Sequence, residues 1–377
     1  MLYSLLIYSL LISYMVLCSI TYANMYPGKI VYLKNPVILL LLLVFSFVIG
    51  CRYGVGGIDY FHYLDFYESC KVYLDANSSE YLFYSFTKYL SINNVHFAVY
   101  FGIIAFIQMA FFISAYKQYP KILPYAIVFF FIGSYYLGWC NVMRQNIVIA
   151  VSLYSISLII EKRYLLYYLL TILCLFIHSS AALLLILYPV LILTKNIFPN
   201  RYIQYLSFGL CFCIGYFTNI FSLIMSNPIV VSLFVSTNYA SYFNNEEIGM
   251  QGMDNTIGLG YLLHVTVWCI IIGFSSKLKS FYNNLFFDYC YKLFFVGCCL
   301  FVLFTTSIVL QRFALYFYSF ELIIVPFFFY YLLKAPFNYY IRLYTFAFCF
   351  FSYFLLFLSE IINGDKTLAT FHFFWEV

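Results

Sequence analysis

Long apolar runs separated by polar loops constrain this chain more than any other feature. About twelve of them approach the length, roughly 20 residues, that a helix needs to cross a bilayer. The chain is 65% hydrophobic and only 9% charged, and a soluble protein of this length cannot bury so much apolar surface. The sequence therefore predicts an all-α, polytopic transmembrane helical bundle in a single integral membrane domain, residues 1–377. The predicted spans are 3–22, 36–51, 95–115, 122–138, 144–160, 164–177, 181–194, 202–225, 257–275, 293–309, 313–333 and 342–360.

Two short runs leave the number of crossings open, but they do not change the predicted orientation of the other runs. The runs 164–177 and 181–194 are short, so they form either two crossings or one re-entrant hairpin. The first run has no basic leader and no small-residue cleavage site, so we expect a retained helix rather than a signal peptide.

Basic residues in the loops set the orientation by the positive-inside rule. Thirteen of the 19 lysines and arginines lie in alternate loops, which we assign to the cytoplasm. Both chain ends and the two long loops, 52–94 and 226–256, are then outside, together with most of the acidic residues. The net charge of +5 is spread singly along the chain, which argues against nucleic-acid binding. The six basic residues on the outer side are Arg52, Lys71, Lys88, Arg144, Arg312 and Lys366.

Two of the outer arginines begin helices, where a cation is electrostatically unfavourable. Arg144 and Arg312 lie at helix N-termini, which carry partial positive charge. Each therefore requires a negative partner, either a protein carboxylate or an anionic ligand. Asn141 and Gln145 share a helical face with Arg144, and Gln311 precedes Arg312. Such groups offer several hydrogen-bond donors to phosphate oxygens.

A histidine and a glycine-rich turn add to this outer group. His178 opens the seventh helix, with Ser179 and Ser180 as predicted N-caps. Separately, Arg52 is followed by Gly54, Gly56 and Gly57, a turn that can direct backbone N–H groups at an anion, and then by Asp59. Read singly, these are interface anchors, caps and a tight turn; together with the arginines they favour a functional site.

Other polar residues are expected to be structural. His264 is a lone histidine in an apolar run and should hydrogen-bond to a neighbouring helix, whereas Glu321 needs a partner or a proton. The cysteines form no CxxC pair, so no metal or redox cofactor is expected. Three of them, Cys51, Cys70 and Cys140, lie near the outer side, where a disulfide is an open alternative.

The order of three short motifs resembles the EpsG-like family of Wzy-type polymerases of O-antigen and exopolysaccharide. They are Arg52-Tyr-Gly-Val-Gly-Gly-Ile-Asp-Tyr60, Arg144-Gln145 and Phe176-Ile-His178, and the similarity extends to Gln311-Arg312. The resemblance implies a glycosyltransferase of the bacterial inner membrane whose active site faces the periplasm. It implies as partners an undecaprenyl-pyrophosphate-linked glycan donor and acceptor, membrane lipid and a chain-length regulator protein, and it requires no cofactor.

Within that resemblance each outer residue has an expected role. Arg144, Arg312 and Arg52, with Gln145 and Gln311, would bind pyrophosphate, and Gly54 and Gly57 would shape the turn. Asp59 and His178 are alternative bases for the acceptor hydroxyl. The competing functions are a flippase or transporter of lipid-linked sugars, an acyltransferase with His178 as its base, and an O-antigen ligase. A transporter would show deep charges on several helices, and an acyl-CoA donor would require cytoplasmic chemistry.

Overall fold

The computed structural model describes residues 2–26, 33–71, 80–193, 200–226, 258–363 and 369–377. Over these residues the chain is almost entirely helical, which confirms the predicted all-α class. The helices, numbered here in chain order, are α1 Leu2–Met25, α2 Pro36–Gly50, α3 Ile58–Ser69, α4 Tyr81–Ile92, α5 Phe97–Ala115, α6 Leu123–Ile132, α7 Tyr135–Asn141, α8 Met143–Ile160, α9 Tyr164–Leu175, α10 Ala182–Leu193, α11 Arg201–Phe217, α12 Ile220–Met225, α13 Leu259–Tyr282, α14 Leu285–Leu303, α15 Ile308–Tyr318, α16 Glu321–Lys334 and α17 Tyr339–Ile362. Two short strands, β1 Arg52–Tyr53 and β2 His372–Phe373, and two 3₁₀ turns, Ser179–Ala181 and Phe374–Glu376, complete the described elements.

Over the described residues the structure has six to eight candidate spans, against the predicted twelve. In the described ranges six helices are long and apolar enough to cross a membrane, or eight if each of two bent pairs counts as one span. The apolar helices α2, α9 and α10 are shorter than a full crossing. The chain is therefore a polytopic membrane protein, but twelve spans are not confirmed. Of the long loops, 52–94 contains α3 and α4, whereas 226–256 lies outside the described residues except for Ser226.

Local breaks explain part of the difference. The predicted span 122–138 is divided into α6 and α7, which meet at an angle of 67°. Ser134 adopts a left-handed backbone with φ of 61° at this break, and such a conformation cannot continue a right-handed helix. The predicted span 202–225 ends as a helix at Phe217, and Asn219 caps a new short helix by accepting a hydrogen bond from Ser222 N at 3.1 Å.

The junction between α7 and α8 is a second break, and buried amides satisfy its backbone. Gln108 Nε2 donates to the carbonyls of Trp139 at 3.3 Å and Met143 at 3.2 Å. Asn146 Nδ2 donates to Val142 O at 2.9 Å. Carbonyls released by a helix break have no water to bind inside a bilayer, so such side chains make the break tolerable.

Two compact units divide the chain, and each is described by itself. The first contains residues 1–190 and 325–377, and the second contains residues 191–324. In the first unit Tyr8 Oη donates to Ala369 O at 2.8 Å, and Phe371 N donates to Ser4 Oγ at 3.0 Å. Strand β2 pairs antiparallel with β1. The start of α1, the end of α2 and the C-terminal segment therefore meet.

Gly56 permits a close backbone approach in the turn that follows β1. Its φ is +108°, and a Cβ placed on it would lie 2.5 Å from Cys140 O, at the end of α7. The neighbouring Gly54 has φ of +73°, and the nearest atom to its Cβ would be Phe61 Cζ at 3.7 Å. A side chain at Gly54 would therefore cause backbone strain alone, whereas a side chain at Gly56 would cause both strain and a clash with the backbone of Cys140.

Replacing Gly56 by alanine is expected to destabilise the protein by more than about 3 kcal/mol, because strain adds to a backbone clash. Gly54→Ala should cost only about 1–2 kcal/mol, since its left-handed strain comes without a clash. Thermal unfolding of both purified variants in detergent measures the difference. Equal melting temperatures for the two variants would contradict the close approach of Gly56 to α7.

Candidate functional site

The site is built around α4, which lies within the long loop 52–94. Its buried face contains Phe83, Thr87 and Leu90, spaced four and three residues apart as one side of a helix requires. Leu82 N donates to Phe176 O at 2.9 Å, so the first turn of α4 is bonded to the chain leaving α9. This bond places the residue before the helix, Glu80, beside the segment that contains His178.

Glu80 joins two of the residues singled out in the sequence. Its Oε1 lies 2.8 Å from His178 Nδ1, and its Oε2 forms an ion pair with Arg144 Nη1. Glu80 is 7% exposed, so both interactions are largely shielded from water. The carboxylate thus connects α8 with the 3₁₀ turn after α9. Arg144 is 64 positions and His178 is 98 positions along the chain from Glu80.

Aromatic rings enclose the guanidinium of Arg144. Its Nε lies 3.4 Å from Tyr63 Oη, and its Cζ lies 5.8 Å and 5.7 Å from the ring centres of Tyr63 and Phe83. Cations over aromatic faces are stabilised by the ring quadrupole. The side chain is nevertheless 32% exposed, so it is not sealed from solvent.

The carboxylate of Glu80 also caps the turn at His178. Ser179 N donates to Glu80 Oε1 at 3.1 Å. The prediction that Ser179 and Ser180 are N-caps was wrong: both lie inside the 3₁₀ turn, whose N-cap is His178. The predicted need of Arg144 for a negative partner is met by a protein carboxylate, the first of the two alternatives.

The charge state of Glu80 follows from these partners. Burial raises the pKa of Glu80, but the hydrogen bond with His178 and the charge of Arg144 lower it, and the net pKa lies below the ordinary 4.5. The group is therefore a carboxylate at neutral pH. Because its folded pKa is depressed, its contribution to stability is present above the ordinary carboxyl range and is lost as the pH falls through the depressed pKa.

Asp59, the other candidate base, lies in the first turn of α3. Its neighbours differ from those of His178. In the amide orientation that its surroundings require, Asn141 donates to Asp59 Oδ2 at 3.0 Å and to Gly56 O at 2.7 Å. Asp59 thus belongs to the contact between the glycine-rich turn and α7. Gly54 and Gly57 adopt positive φ angles of 73° and 81°, as the predicted turn requires.

Arg52 has structural partners rather than an open face. It is 0% exposed, and Nε and Nη1 donate to Val55 O at 3.0 Å and Ile49 O at 2.6 Å. Nη2 donates to Cys140 O at 3.2 Å. The guanidinium therefore holds the turn, the end of α2 and α7 together, and its predicted contact with pyrophosphate would require these bonds to break.

The predicted face of Asn141, Arg144 and Gln145 is not continuous. Helix α7 ends at Asn141, Val142 leaves helical geometry with ψ of 63°, and α8 begins at Met143. Asn141 therefore faces Asp59, whereas Gln145 is 1% exposed inside the first unit. Its predicted role at pyrophosphate is not supported by this burial.

The second unit contains the remaining predicted residues. Gln311 and Arg312 lie in α15, and Gln311 Nε2 donates to Thr305 O at 3.4 Å. Elsewhere in that unit Glu321, 0% exposed, accepts a hydrogen bond from Trp268 Nε1 at 2.7 Å. Its Oε1 also lies 2.8 Å from His264 Nε2. The predicted bond of His264 to a neighbouring helix and the predicted partner of Glu321 are both confirmed, as one interaction.

The described part of the chain contains neither a cluster of metal-ligating side chains nor a disulfide among the outer cysteines. No group of three or more histidine, cysteine or acidic side chains is arranged there to hold a metal. Cys51, Cys70 and Cys140 are free thiols, so the open disulfide alternative is not realised.

Comparison with known proteins identifies the family. The family model described as the EpsG family matches residues 36–372, nearly the whole chain. The chain belongs to the EpsG family. Its members are similar to Wzy-type polymerases, which implies a glycosyltransferase-like role in polysaccharide biosynthesis. Neither the curated proteins nor the solved structures contain a match.

Two of the EpsG motifs thus meet in the first unit, since Arg144 and His178 both contact Glu80. The Arg52–Tyr60 motif has separate partners, and Gln311 and Arg312 lie in α15. Sequence reasoning missed Glu80, which it counted only among the outer acidic residues. The available signal was its place just before an amphipathic helix, where a carboxylate is favoured by the helix N-terminus. Nothing in the sequence alone indicated that His178 and Arg144 would share it.

Proposed function

We propose that this EpsG protein polymerises undecaprenyl-pyrophosphate-linked oligosaccharide repeat units at the periplasmic face of the inner membrane. The observation that carries the proposal is the contact of one carboxylate, Glu80, with both Arg144 and His178. It supplies a cation and a base in one partly exposed site. Glycosyl transfer from a lipid pyrophosphate needs both groups.

In the proposed reaction the growing chain leaves its carrier and joins a new repeat unit. His178 accepts the proton of the acceptor hydroxyl, whose oxygen forms the new bond to the anomeric carbon. The bond from that carbon to the pyrophosphate oxygen breaks, and charge grows on the leaving undecaprenyl pyrophosphate. Arg144, already charged and held between aromatic rings, stabilises that charge without rearranging.

His178 is a better candidate base than Asp59 because of its surroundings. The side chain of His178 is 18% exposed, and its Nδ1 is held by the Glu80 carboxylate. Asp59 accepts from Asn141 at a junction between α3 and α7. Arg312 and Gln311, in the second unit, remain predicted ligands of pyrophosphate. A chain-length regulator protein remains a predicted partner.

The test is the surface-polysaccharide ladder of the source bacterium after deletion of this gene. Deletion should leave the lipid A core with a single repeat unit, and the wild-type gene should restore the ladder. Loss of even the single unit would indicate flipping or ligation instead, the alternative functions. An unchanged ladder without the gene would refute polymerisation.

A further inference from the structure

We infer that Glu80 is a positioning residue that selects which nitrogen of His178 receives the acceptor proton and holds Arg144 beside it. The inference rests on the proposed function, in which His178 is the base. It gives a role to Glu80, which the proposed function leaves without one, and it names the nitrogen of His178 that takes up the proton. The evidence lies in the contacts of the two carboxylate oxygens.

The first oxygen fixes the tautomer of the imidazole. A charged carboxylate only accepts hydrogen bonds, so the 2.8 Å contact with Glu80 Oε1 requires His178 Nδ1 to carry its hydrogen. In neutral imidazole the lone pair then lies on Nε2. Nε2 is thus the atom that receives the acceptor proton, and the resulting imidazolium is stabilised by the carboxylate.

The surrounding backbone holds this oxygen in place. Ser179 donates to the same Oε1 through its amide at 3.1 Å and its hydroxyl at 3.4 Å. Phe176 O accepts hydrogen bonds from Leu82 N and Phe83 N, at 2.9 Å and 3.3 Å, so α4 and the His178 segment are linked twice more. Glu80 is therefore constrained in orientation before any substrate binds.

The second oxygen of Glu80 couples the base to the cation. Arg144 pairs with Oε2 and also contacts Tyr63 Oη. The described groups near His178 include the Glu80 carboxylate, the guanidinium of Arg144 behind it and the Ser179 hydroxyl, with the phenols of Tyr63 and Tyr84 beyond Arg144. The carboxylate therefore holds the imidazole and the guanidinium in a fixed relation to each other.

The experiment compares wild type with Glu80→Gln in proteoliposomes supplied with lipid-linked repeat units. Glutamine keeps the shape but loses the charge and the fixed tautomer, so kcat should fall by about 10²- to 10⁴-fold. KM should change little, because Glu80 positions the base and does not itself contact the substrate. Glu161→Gln is the matched control, because Glu161 pairs with Lys117 away from this site, and it should retain wild-type kinetics. A Glu80→Gln variant with wild-type kcat would overturn the inference.

A second measurement separates this inference from the proposed function. Nitrogen-15 NMR of labelled histidine, assigned with a His178→Gln variant, reports the tautomer without any turnover. Wild type should show the Nδ1–H form at His178, and Glu80→Gln should lose that preference. If wild type makes no polymer but shows the expected tautomer, the polymerase proposal fails and the positioning contact stands. An Nε2–H form in wild type would overturn the positioning role whatever the activity.

Discussion

Arg144→Lys is expected to reduce polymer formation by at least about 100-fold while the protein still folds and accumulates. Lysine keeps the charge but loses the planar fork with which Arg144 meets Glu80 and Tyr63 together. A single point charge cannot hold the carboxylate and still present donors to a pyrophosphate. Removing one preorganised donor at a developing negative charge typically costs 10²- to 10³-fold in rate.

The measurement is polymer length and rate in membranes that contain equal amounts of wild-type and variant protein. Arg163→Lys is the matched control, since Arg163 is a solvent-exposed arginine 3.8 Å from Glu161. Exposed ion pairs contribute little, so this variant should retain the full ladder. A normal ladder from Arg144→Lys would show that the planar guanidinium fork is not needed for turnover.

The sequence predicted the class of the fold, but it did not predict which of the candidate residues contact one another. Apolar runs predicted a helical membrane protein, because this class depends on composition along the chain. The left-handed turn at Gly54 and Gly57 was likewise a local signal, readable from nearby residues.

The count of spans could not be predicted in the same way. Hydropathy alone treats 122–138 as one helix, although Ser134 breaks it. The break between α7 and α8 at Val142 does lie in the predicted gap between 122–138 and 144–160. Nothing in the sequence indicated what stabilises it, since Gln108 is 35 residues away from Met143. A buried amide in a distant helix gives no local sign that it satisfies a broken backbone.

The contacts within the site could not be predicted either, because they join residues that are far apart in the sequence. Arg144 was predicted to need an anion, but the choice between ligand and carboxylate depends on a contact 64 residues away. Arg52 and Arg144 look alike in sequence, each an arginine at a helix end on the outer side. In the structure Arg52 is fully buried and bonded to carbonyls, whereas Arg144 is partly exposed and paired with a carboxylate.

Arg52→Met is therefore expected to prevent folding rather than to impair catalysis alone. The substitution leaves the carbonyls of Val55, Ile49 and Cys140 without their donor. Each buried acceptor left unsatisfied costs about 1–3 kcal/mol, so the loss is a large part of the 5–15 kcal/mol by which proteins are usually stable. The same loss releases the turn that carries Asp59.

Two readouts distinguish a structural role of Arg52 from binding of the carrier pyrophosphate. If Arg52 is structural, Arg52→Met and Arg52→Lys will both be scarce in membranes or aggregate on size-exclusion chromatography, because one ammonium cannot bond three separated carbonyls. Arg144→Lys, prepared in parallel, should accumulate normally and elute as wild type. If the Arg52 variants instead accumulate, melt like wild type and make no polymer, Arg52 binds substrate and the turn is held by other contacts. On the expected outcome, Arg52 contributes to stability and Arg144 to the proposed chemistry.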